Sequence, residues 1–317
     1  MSARVPAATP MFQKVELQLA SWCNRSCAFC PSGKFPVPRE MMAGEVAERI
    51  AGELGRLDFR GRIAFHLMSE PLLYKRFEEV LRLFRRHVPR AHFYVHTNGD
   101  VLTDYERIHR LFEAGLNDIL INCYDSQAQF DGRKTEVIDF TRRHPEIWYW
   151  NKWLCNPTGP RHEWRVVRLR AFFGEGYTLR NWAGHVRASH DETLEFPLKL
   201  ECARVVEGLH VNYLGQVVLC NNDWKFEAVA GDLMKEDAWS VWTSPLLERY
   251  REHLSRRDRS LPLCRTCDNG YPRRREPGYP AADRLAPARR VWGSARLLVS
   301  RASTKVRRSL QERGASS

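Results

Sequence analysis

Three cysteines stand close together at the end of an apolar stretch of the chain. Cys23, Cys27 and Cys30 lie within eight positions of the segment WCNRSCAFCPSGK, directly after the run VELQLASW. Thiolates bind soft metals, and three of them on one loop can hold one face of an iron–sulfur cube. Such a cube normally takes four thiolates, so this set would leave one iron open to a further ligand. A zinc ion with a distant fourth ligand is the alternative interpretation.

Four more cysteines are spaced so that folding could bring them together. Cys202 and Cys220 flank a β-hairpin predicted over 209–221, and the pair Cys264 and Cys267 follows later. A hairpin brings its two ends close in space. Four thiolates would close an iron–sulfur cluster or a zinc ion completely, so the alternative here is a zinc ribbon.

The net charge of the chain is concentrated at its C-terminal end. The 317 residues carry a formal charge of +12, and residues 273–317 contain twelve Arg or Lys against three acids. That segment therefore holds +9 and the rest only +3, which argues against nucleic acid as a partner for the body of the protein. Within it, 289–310 has an apolar helical face flanked by arginines, as a helix docking on a membrane surface or a partner would.

Two further features concern the location of the protein. No run of about 18 apolar residues is present, and the first 13 residues have no apolar segment typical of a signal peptide. The expected location is therefore the cytoplasm, with peripheral membrane association through the tail as an option. In that reducing compartment cysteines serve as metal ligands or in catalysis more often than in disulfides.

Alternating helices and strands predict parallel βα units and an α/β fold. Helices are predicted over 44–57, 74–88, 104–115 and 136–144, and strands over 62–68, 92–99, 118–124 and 147–155. Parallel barrels place their chemistry at the carboxyl ends of the strands, which is where the first cysteine loop lies. We expect a partial (β/α) barrel over 14–195, after an N-terminal segment 1–13. A small α+β domain over 196–272 and a basic amphipathic or disordered tail over 273–317 follow it.

The first cysteine motif resembles that of a known enzyme superfamily. CNRSCAFC is similar to the Cys-x3-Cys-x-aromatic-Cys signature of the radical S-adenosylmethionine (SAM) superfamily, with Phe29 as the aromatic residue. The resemblance implies a [4Fe–4S] cluster held by the three cysteines, whose open iron binds the amino and carboxylate groups of SAM. It also implies reductive cleavage of SAM to a 5′-deoxyadenosyl radical, which abstracts a hydrogen atom.

The resemblance extends to the segments after the second, third and fourth strands. MSEPLL (68–73) is similar to the Gly-Gly-Glu-Pro element of the superfamily, with Met68 and Ser69 in place of the glycines. Glu70 is then expected to accept a hydrogen bond from the ammonium group of SAM. The cofactor-binding residues that the resemblance implies are Phe29, Ser69, Glu70, Asn98 and Asn122. Taken alone, Glu70 reads as an ordinary loop carboxylate, and Asn98 as a turn residue.

The second set of cysteines resembles the SPASM/twitch domains of the same superfamily. Twelve residues separate Cys202 from Gly215, four separate Gly215 from Cys220, and Cys264-x2-Cys267 follows. This resemblance implies one auxiliary [4Fe–4S] cluster with those four cysteines as ligands. Because no cysteine follows Cys267, the shortened twitch form with a single cluster is expected. The resemblance covers roughly residues 14–270.

The resemblance implies a reaction class and leaves the substrate open. Members with this layout oxidise or epimerise sugars and aminocyclitols, or modify peptides, so we expect dehydrogenation or epimerisation of a carbohydrate-like or aminocyclitol substrate. An epimerase needs a hydrogen donor, commonly a thiol, and Cys123 is the candidate because it lies near the end of the fourth strand. Cys123 and Cys155 can equally be small buried hydrophobic residues.

The expected partners follow from this chemistry. They are a small-molecule substrate and an electron donor such as flavodoxin or ferredoxin. Two alternative functions remain. One is a peptide-modifying maturase, although no peptide-binding segment is visible before Cys23. The other is a zinc-binding protein that docks on nucleic acid.

Overall fold

The computed structural model describes residues 10–150, 159–173, 180–188, 191–192 and 194–270. Phe12–Pro272 form one compact unit. The predicted tail over 273–317, most of the predicted N-terminal segment and Cys155 lie outside the described residues. No helix in the described part of the chain is long and apolar enough to cross a membrane.

A single sheet runs through this unit, and its described part has nine strands in the order β5-β6-β4-β3-β2-β1-β7-β8-β9. All neighbouring pairs from β5 to β7 are parallel, whereas β7, β8 and β9 are antiparallel. The strands are β1 Lys14–Leu17, β2 Arg62–Ala64, β3 His92–Thr97, β4 Asp118–Cys123, β5 Trp148–Tyr149, β6 Val166–Ala171, β7 Gly208–Val211, β8 Gln216–Val218 and β9 Val229–Asp232.

Seven α-helices occur in the described residues, and the first four each connect two of the parallel strands, as the alternating pattern predicts. They are α1 Gly44–Arg56, α2 Phe77–His87, α3 Glu106–Glu113, α4 Gln127–Arg143, α5 Arg204–Glu207, α6 Ala238–Trp242 and α7 Pro245–Ser255. The prediction of an α/β fold with parallel βα units is confirmed. Helix α4 begins nine residues earlier than predicted, after Ser126, whose side chain accepts a hydrogen bond from the backbone N–H of Gln129 at 3.1 Å.

One face of the sheet is apolar and packs against the helices. Phe65, directly after β2, contacts the rings of Phe77 and Phe84 on α2 and of Phe93 on β3 at 5.4–5.6 Å. Alternate residues of the strands join the same core; they include Val15, Leu17, Ile63, Val95, Ile119, Ile121, Val167 and Leu209. Because successive side chains of a strand point to opposite faces, the remaining alternate positions form a second face.

That second face is polar, although much of it is buried. It carries polar and charged side chains from five of the parallel strands; they include Lys14, Glu16, His92, Tyr94, His96, Asp118, Asn122, Arg168, Arg170 and His210. Charged residues are rarely buried without partners. A concentration of them on one face of a sheet therefore indicates that this face serves binding or catalysis.

Strand pairing differs from the predicted arrangement at two places. β6 lies between β4 and β5 and was not predicted, whereas the strand predicted over 147–155 has only two described strand residues. β7 pairs with β1 in parallel from Lys14–Gly208 to Leu17–Val211. The boundary predicted near residue 196 therefore does not interrupt the sheet, and the division of the chain there stays a prediction.

Candidate metal centres

The first cysteine loop follows the carboxyl end of β1 and is tied to its neighbours by hydrogen bonds. The backbone N–H of Glu70 donates to the carbonyl of Trp22 at 3.3 Å, just before Cys23. The Asn98 side-chain amide donates to Cys23 Sγ at 3.6 Å and to Asn24 Oδ1 at 2.8 Å. The loop is thus fixed against the ends of β2 and β3, where parallel barrels place their active sites.

Arg25, between the first two cysteines, clamps this loop to the ends of β3 and β4. Its guanidinium donates to both carboxylate oxygens of Asp125 at 2.7 and 2.9 Å, and to Asp100 Oδ1 at 2.8 Å. The two carboxylates raise the pKa of Arg25 further above its ordinary value. Forked contacts of this kind are strong and directional, so Arg25 fixes the loop more firmly than a single ion pair would.

Glu70 is buried, and its carboxylate is held in one orientation. Oε1 accepts hydrogen bonds from Thr97 Oγ1 at 2.6 Å and from the backbone N–H of Leu72 at 3.0 Å. Oε2 accepts from the backbone N–H of Asn98 at 2.8 Å. Burial raises the pKa of Glu70, whereas these three donors oppose the rise. A carboxylate so placed at the strand ends is suited to accept from a cationic group.

Two buried side-chain oxygens, one next to Glu70 and one shortly before the first cysteine loop, have no hydrogen-bond partner among the described residues. They are Ser69 Oγ and Gln18 Oε1. Buried polar atoms are normally satisfied, so atoms of this kind mark a place where a polar ligand fits. Met68, where the superfamily has a glycine, adopts a φ of 53°, the left-handed region that favours glycine.

The four later cysteines are brought together by two asparagines. Asn222 donates from its side chain to Cys267 Sγ at 3.3 Å and from its backbone to Cys220 Sγ at 3.4 Å. Asn269 donates from its side chain to Cys202 Sγ at 3.4 Å and from its backbone to Cys267 Sγ at 3.5 Å. The backbone N–H of Cys267 donates to the carbonyl of Cys264 at 3.2 Å. This turn keeps Cys264, the fourth cysteine, next to Cys267.

The sulfur spacing distinguishes a cluster from a single ion. A tetrahedral zinc site with Zn–S bonds of about 2.3 Å separates its sulfurs by about 3.8 Å. In the part of the chain that the structure describes, no three cysteine sulfurs lie within 4.8 Å of one another. An iron–sulfur cube holds its thiolates on separate irons, so its ligands stand farther apart than those of one zinc ion.

Burial shapes the chemistry of these thiols. It raises the pKa of Cys30 to about 11 and that of Cys264 to about 12. Metal ligation requires thiolates, so metal binding at these residues must release protons. The cysteines of both sets therefore have the chemistry that ligation of an iron–sulfur cluster requires.

Comparison with known proteins agrees with this geometry. Residues 17–127 match the profile of the Radical SAM superfamily, and residues 202–268 match that of the SPASM iron–sulfur cluster-binding domain. The first match contains the three-cysteine loop with Glu70, and the second contains all four later cysteines. The chain therefore contains a Radical SAM domain followed by a SPASM domain. Its core binds a [4Fe–4S] cluster with SAM, and its SPASM region indicates an auxiliary iron–sulfur cluster.

Similar proteins match most of the length of this chain. It is 25% identical over 275 residues to the S-adenosyl-L-methionine-dependent 2-deoxy-scyllo-inosamine dehydrogenase of Niallia circulans, covering 82% of this chain and 94% of that one. The structure of BtrN in complex with AdoMet and 2-DOIA is 25% identical with a TM-score of 0.65, covering 84% and 97% of the two chains. BtrN in an open conformation, at 24% identity, shares the fold with a TM-score of 0.57, covering 82% and 94%.

A loop over 180–188 connects the two cysteine sites. Trp182 Nε1 donates to the carbonyl of Phe29 at 2.9 Å, inside the first cysteine loop. The preceding residue, Asn181, bonds Asp268, which directly follows Cys267. The backbone N–H of Asn181 donates to Asp268 Oδ2 at 3.0 Å, and the backbone N–H of Asp268 donates to Asn181 Oδ1 at 3.2 Å. Trp182 also meets the ring of Trp224, shortly after Cys220, at 6.1 Å. From sequence alone, the segment 177–187 fits a substrate-facing strand end and a polar surface loop equally well.

The predicted cofactor residues occupy one end of the sheet. Asn98 and Glu70 share a hydrogen bond, and Phe29 packs against the rings of Tyr124 and Phe172 at 5.5 and 6.3 Å. Asn122 lies on the polar face, where its Oδ1 accepts from Arg170 Nε at 3.0 Å.

Cys123 is placed differently from the other predicted residues. It is fully buried and follows Asn122 in an extended strand, so its side chain points to the helix-covered face. The structure does not bring Cys123 to the polar face.

Sequence reasoning missed several residues of this region. Arg25 was passed over because its partners lie 75 and 100 positions away. Arg168, which bonds Asp118 Oδ1 at 2.8 Å, lies on the unpredicted strand β6. The alternation of β6, with Val167 and Leu169 between arginines, is the signal that would have indicated a strand.

Proposed function

We propose that the protein is a radical SAM dehydrogenase acting on an alcohol group of an aminocyclitol or a similar carbohydrate-like molecule. The observation that carries the proposal is that both cysteine sites occur in one chain that matches 94% of the length of a 2-deoxy-scyllo-inosamine dehydrogenase. The polar face of the sheet and the buried unpartnered oxygens support a small, hydroxyl-rich substrate.

In this proposal each cysteine set holds one cluster. Cys23, Cys27 and Cys30 bind the [4Fe–4S] cluster that carries SAM, whose bound form supplies a 5′-deoxyadenosyl radical that takes a hydrogen atom from the substrate. The ligands of the auxiliary [4Fe–4S] cluster are Cys202, Cys220, Cys264 and Cys267.

Glu70 binds the SAM ammonium group, and the three donors to its carboxylate favour its ionised form and fix its orientation. Ser69 and Asn98 supply further polar contacts to SAM, and Phe29 lines the site with Tyr124.

The polar face positions the substrate. Asn122 and Arg170 are held to each other, and Arg168 is held to Asp118, so their donors are fixed before the substrate arrives. Preorganised donors bind hydroxyl groups without the cost of ordering side chains. Burial lowers the pKa of His66 to about 3, and that of His96 well below its ordinary value. Both imidazoles, stacked at 4.1 Å, are therefore neutral near pH 7 and can accept or donate a hydrogen bond.

Oxidation fits the residues better than epimerisation. Conversion of an alcohol to a carbonyl removes one hydrogen atom, one proton and one electron, so it needs an electron acceptor and no hydrogen donor. The four-cysteine site offers a place for such an acceptor, and Cys123 faces away from the polar side of the sheet.

The proposal is tested by iron content and by isotope. The protein with Cys23, Cys27 and Cys30 changed to Ala should hold about half the iron of the wild type, which should reach about eight irons per chain for two cubes. Cys123→Ala should still form product and 5′-deoxyadenosine in equal amounts, and the product should contain no solvent deuterium at carbon. Deuterium in a product of unchanged oxidation state would refute dehydrogenation, and stoichiometric zinc with little iron would refute both clusters.

The remaining partners are also proposals. A flavodoxin or ferredoxin delivers the electron that starts each turnover. The basic tail, residues 273–317, docks on an anionic membrane surface. Deletion of the tail should abolish binding to acidic liposomes and leave the iron content unchanged, whereas failure of the full chain to bind them would contradict the docking.

A further inference from the structure

A cluster of metal-binding side chains that contains none of the cysteines lies where α3 meets the end of α4. His109 belongs to α3, His144 caps the carboxyl end of α4, and Glu146 follows it. One nitrogen of each histidine and one carboxylate oxygen all lie within 4.8 Å of one another. Glu146 Oε1 is 3.5 Å from His109 Nε2 and 3.7 Å from His144 Nδ1.

These separations suit ligands around one ion better than hydrogen bonds. An N–H···O hydrogen bond typically spans about 2.7–3.2 Å, shorter than either contact. Ligand bonds of about 2.1 Å in tetrahedral zinc sites separate the donor atoms by about 3.4 Å. The two imidazole rings are stacked, with centroids 4.5 Å apart.

Glu106 fixes the orientation of one of these histidines. His144 Nε2 lies 2.9 Å from Glu106 Oε2, the geometry of a hydrogen bond from the ring to the carboxylate. With its proton on Nε2, neutral His144 presents the lone pair of Nδ1 towards Glu146. A carboxylate bonded to the far nitrogen of a ligand histidine is a common feature of zinc sites, where it sets the tautomer and strengthens the ligand.

We propose that His109 Nε2, His144 Nδ1 and Glu146 Oε1 bind a divalent transition metal, with zinc as the best match. Two imidazoles and one carboxylate suit Zn²⁺ and leave a fourth position for water. The side chains of His109, His144 and Glu146 are 31%, 19% and 43% exposed, so the ion reaches the site from solvent. The bound ion joins α3 to the end of α4 and stabilises that part of the fold.

The test uses iron-loaded protein, so that the cysteines are occupied, and Zn²⁺ alone as the probe. After equilibration with Zn²⁺ and gel filtration, the wild type should retain about one zinc per chain. His109→Ala, His144→Ala and Glu146→Gln should each lose it, with iron unchanged. His87→Ala is the matched control, because His87 pairs with Glu48 at 3.2 Å on the surface without a second histidine; it should retain zinc.

Two measurements complete the test. Glu106→Gln should weaken zinc binding about 10- to 100-fold without abolishing it, as expected for a residue that orients a ligand. Zinc should raise the melting temperature of the wild type and of His87→Ala, but not of His109→Ala. Equal zinc retention by the wild type and His109→Ala would overturn the site, as would a wild type that retains none. Because His109 lies on a surface helix, that variant separates ligand loss from misfolding.

Discussion

At the scale of single residues, the first cysteine loop depends on Arg25, a residue that binds no metal. Its guanidinium is shared by Asp100 and Asp125, which follow β3 and β4. An arginine can serve two carboxylates because its five donors lie in one rigid plane, whereas a lysine offers a point charge. The loop geometry therefore rests on the shape of this side chain as well as its charge.

Arg25→Lys should weaken the first cluster site without unfolding the protein. Hydrogen bonds to charged groups contribute about 1.5–3 kcal/mol each, so losing part of the fork should speed iron loss about tenfold or more. The rate of bleaching near 400 nm with a chelator measures this. Arg142→Lys is the control, since Arg142 pairs with Asp139 at 3.2 Å on an exposed helix surface. Equal bleaching rates in the two variants would show that the clamp does not hold the loop.

Asn222 acts in a similar way on the auxiliary site, through hydrogen bonds to sulfur. Its amide donates to Cys267 Sγ at 3.3 Å and stabilises negative charge there. Asn222→Ala should therefore lower the reduction potential of the auxiliary cluster. One such bond, worth about 1 kcal/mol, corresponds to a shift on the order of 40 mV for one electron. A redox titration followed by EPR measures both clusters, and the first cluster serves as the internal control. A potential that rises or stays constant would contradict this role.

At the scale of elements, the loop over 180–188 holds a strained conformation between the two sites. Trp182, Ala183 and Gly184 have φ angles of 51°, 62° and 86°, three successive residues in the left-handed region. Residues other than glycine adopt that region at a cost of about 1–2 kcal/mol each. The loop persists in this form because Asn181 and Trp182 anchor it to both cysteine regions.

Gly184→Ala should destabilise the protein by about 1–2 kcal/mol, because an added Cβ makes φ unfavourable. That Cβ would also lie 3.3 Å from Thr266 Oγ1. Gly132→Ala is the matched control: it lies inside α4, and outside the adjacent backbone of that helix no atom lies within 4 Å of the added Cβ. It should stabilise the protein by about 0.5–1 kcal/mol. Urea unfolding of both iron-loaded variants measures the difference, and two shifts of the same sign would contradict the argument.

The elements also show how far the sequence alone can predict this fold. Helix α1 and strand β4 lie within one residue of their predicted bounds, because their apolar residues recur at helical or strand spacing. The first half of α4 is polar, so it carries no such signal, and it depends instead on the Ser126 cap.

The candidate sites show the same limit. The seven expected ligands were predicted from the cysteine spacing and its resemblance to known motifs, whereas the contacts of Arg25, Asn222 and Trp182 join segments far apart in the chain. Contacts of that kind depend on the folded topology, which local spacing does not specify.

At the scale of the whole molecule, buried histidines couple stability to pH. Burial lowers the pKa of His92 to about 4 and that of His66 to about 3. In the unfolded chain both return to about 6.5, so between these values the unfolded state binds more protons. Lowering the pH from 6.5 towards 4 therefore favours unfolding, by up to about 1.4 kcal/mol per pH unit for each histidine.

His92→Gln should reduce the pH dependence of stability by the contribution of one histidine. The melting temperature of the iron-loaded wild type should fall between pH 7.5 and 5, and that of the variant should fall less. Between pH 7.5 and 8.5, above both pKa values, the two proteins should show parallel behaviour, which serves as the control. Parallel curves across the acidic range as well would contradict the contribution of His92.

The parallel pairing of β1 with β7 limits how this protein can be divided or recombined. β7 belongs to the SPASM region, yet its partner is the strand that leads into the SAM-binding loop. Truncation near residue 196 would leave the backbone groups of β1 unpaired along that edge, an arrangement that invites aggregation. The SPASM region therefore cannot be exchanged as an independent unit. A chimera that imports a foreign one must supply a strand matching β1 over four residue pairs, so the two sites are expected to evolve together.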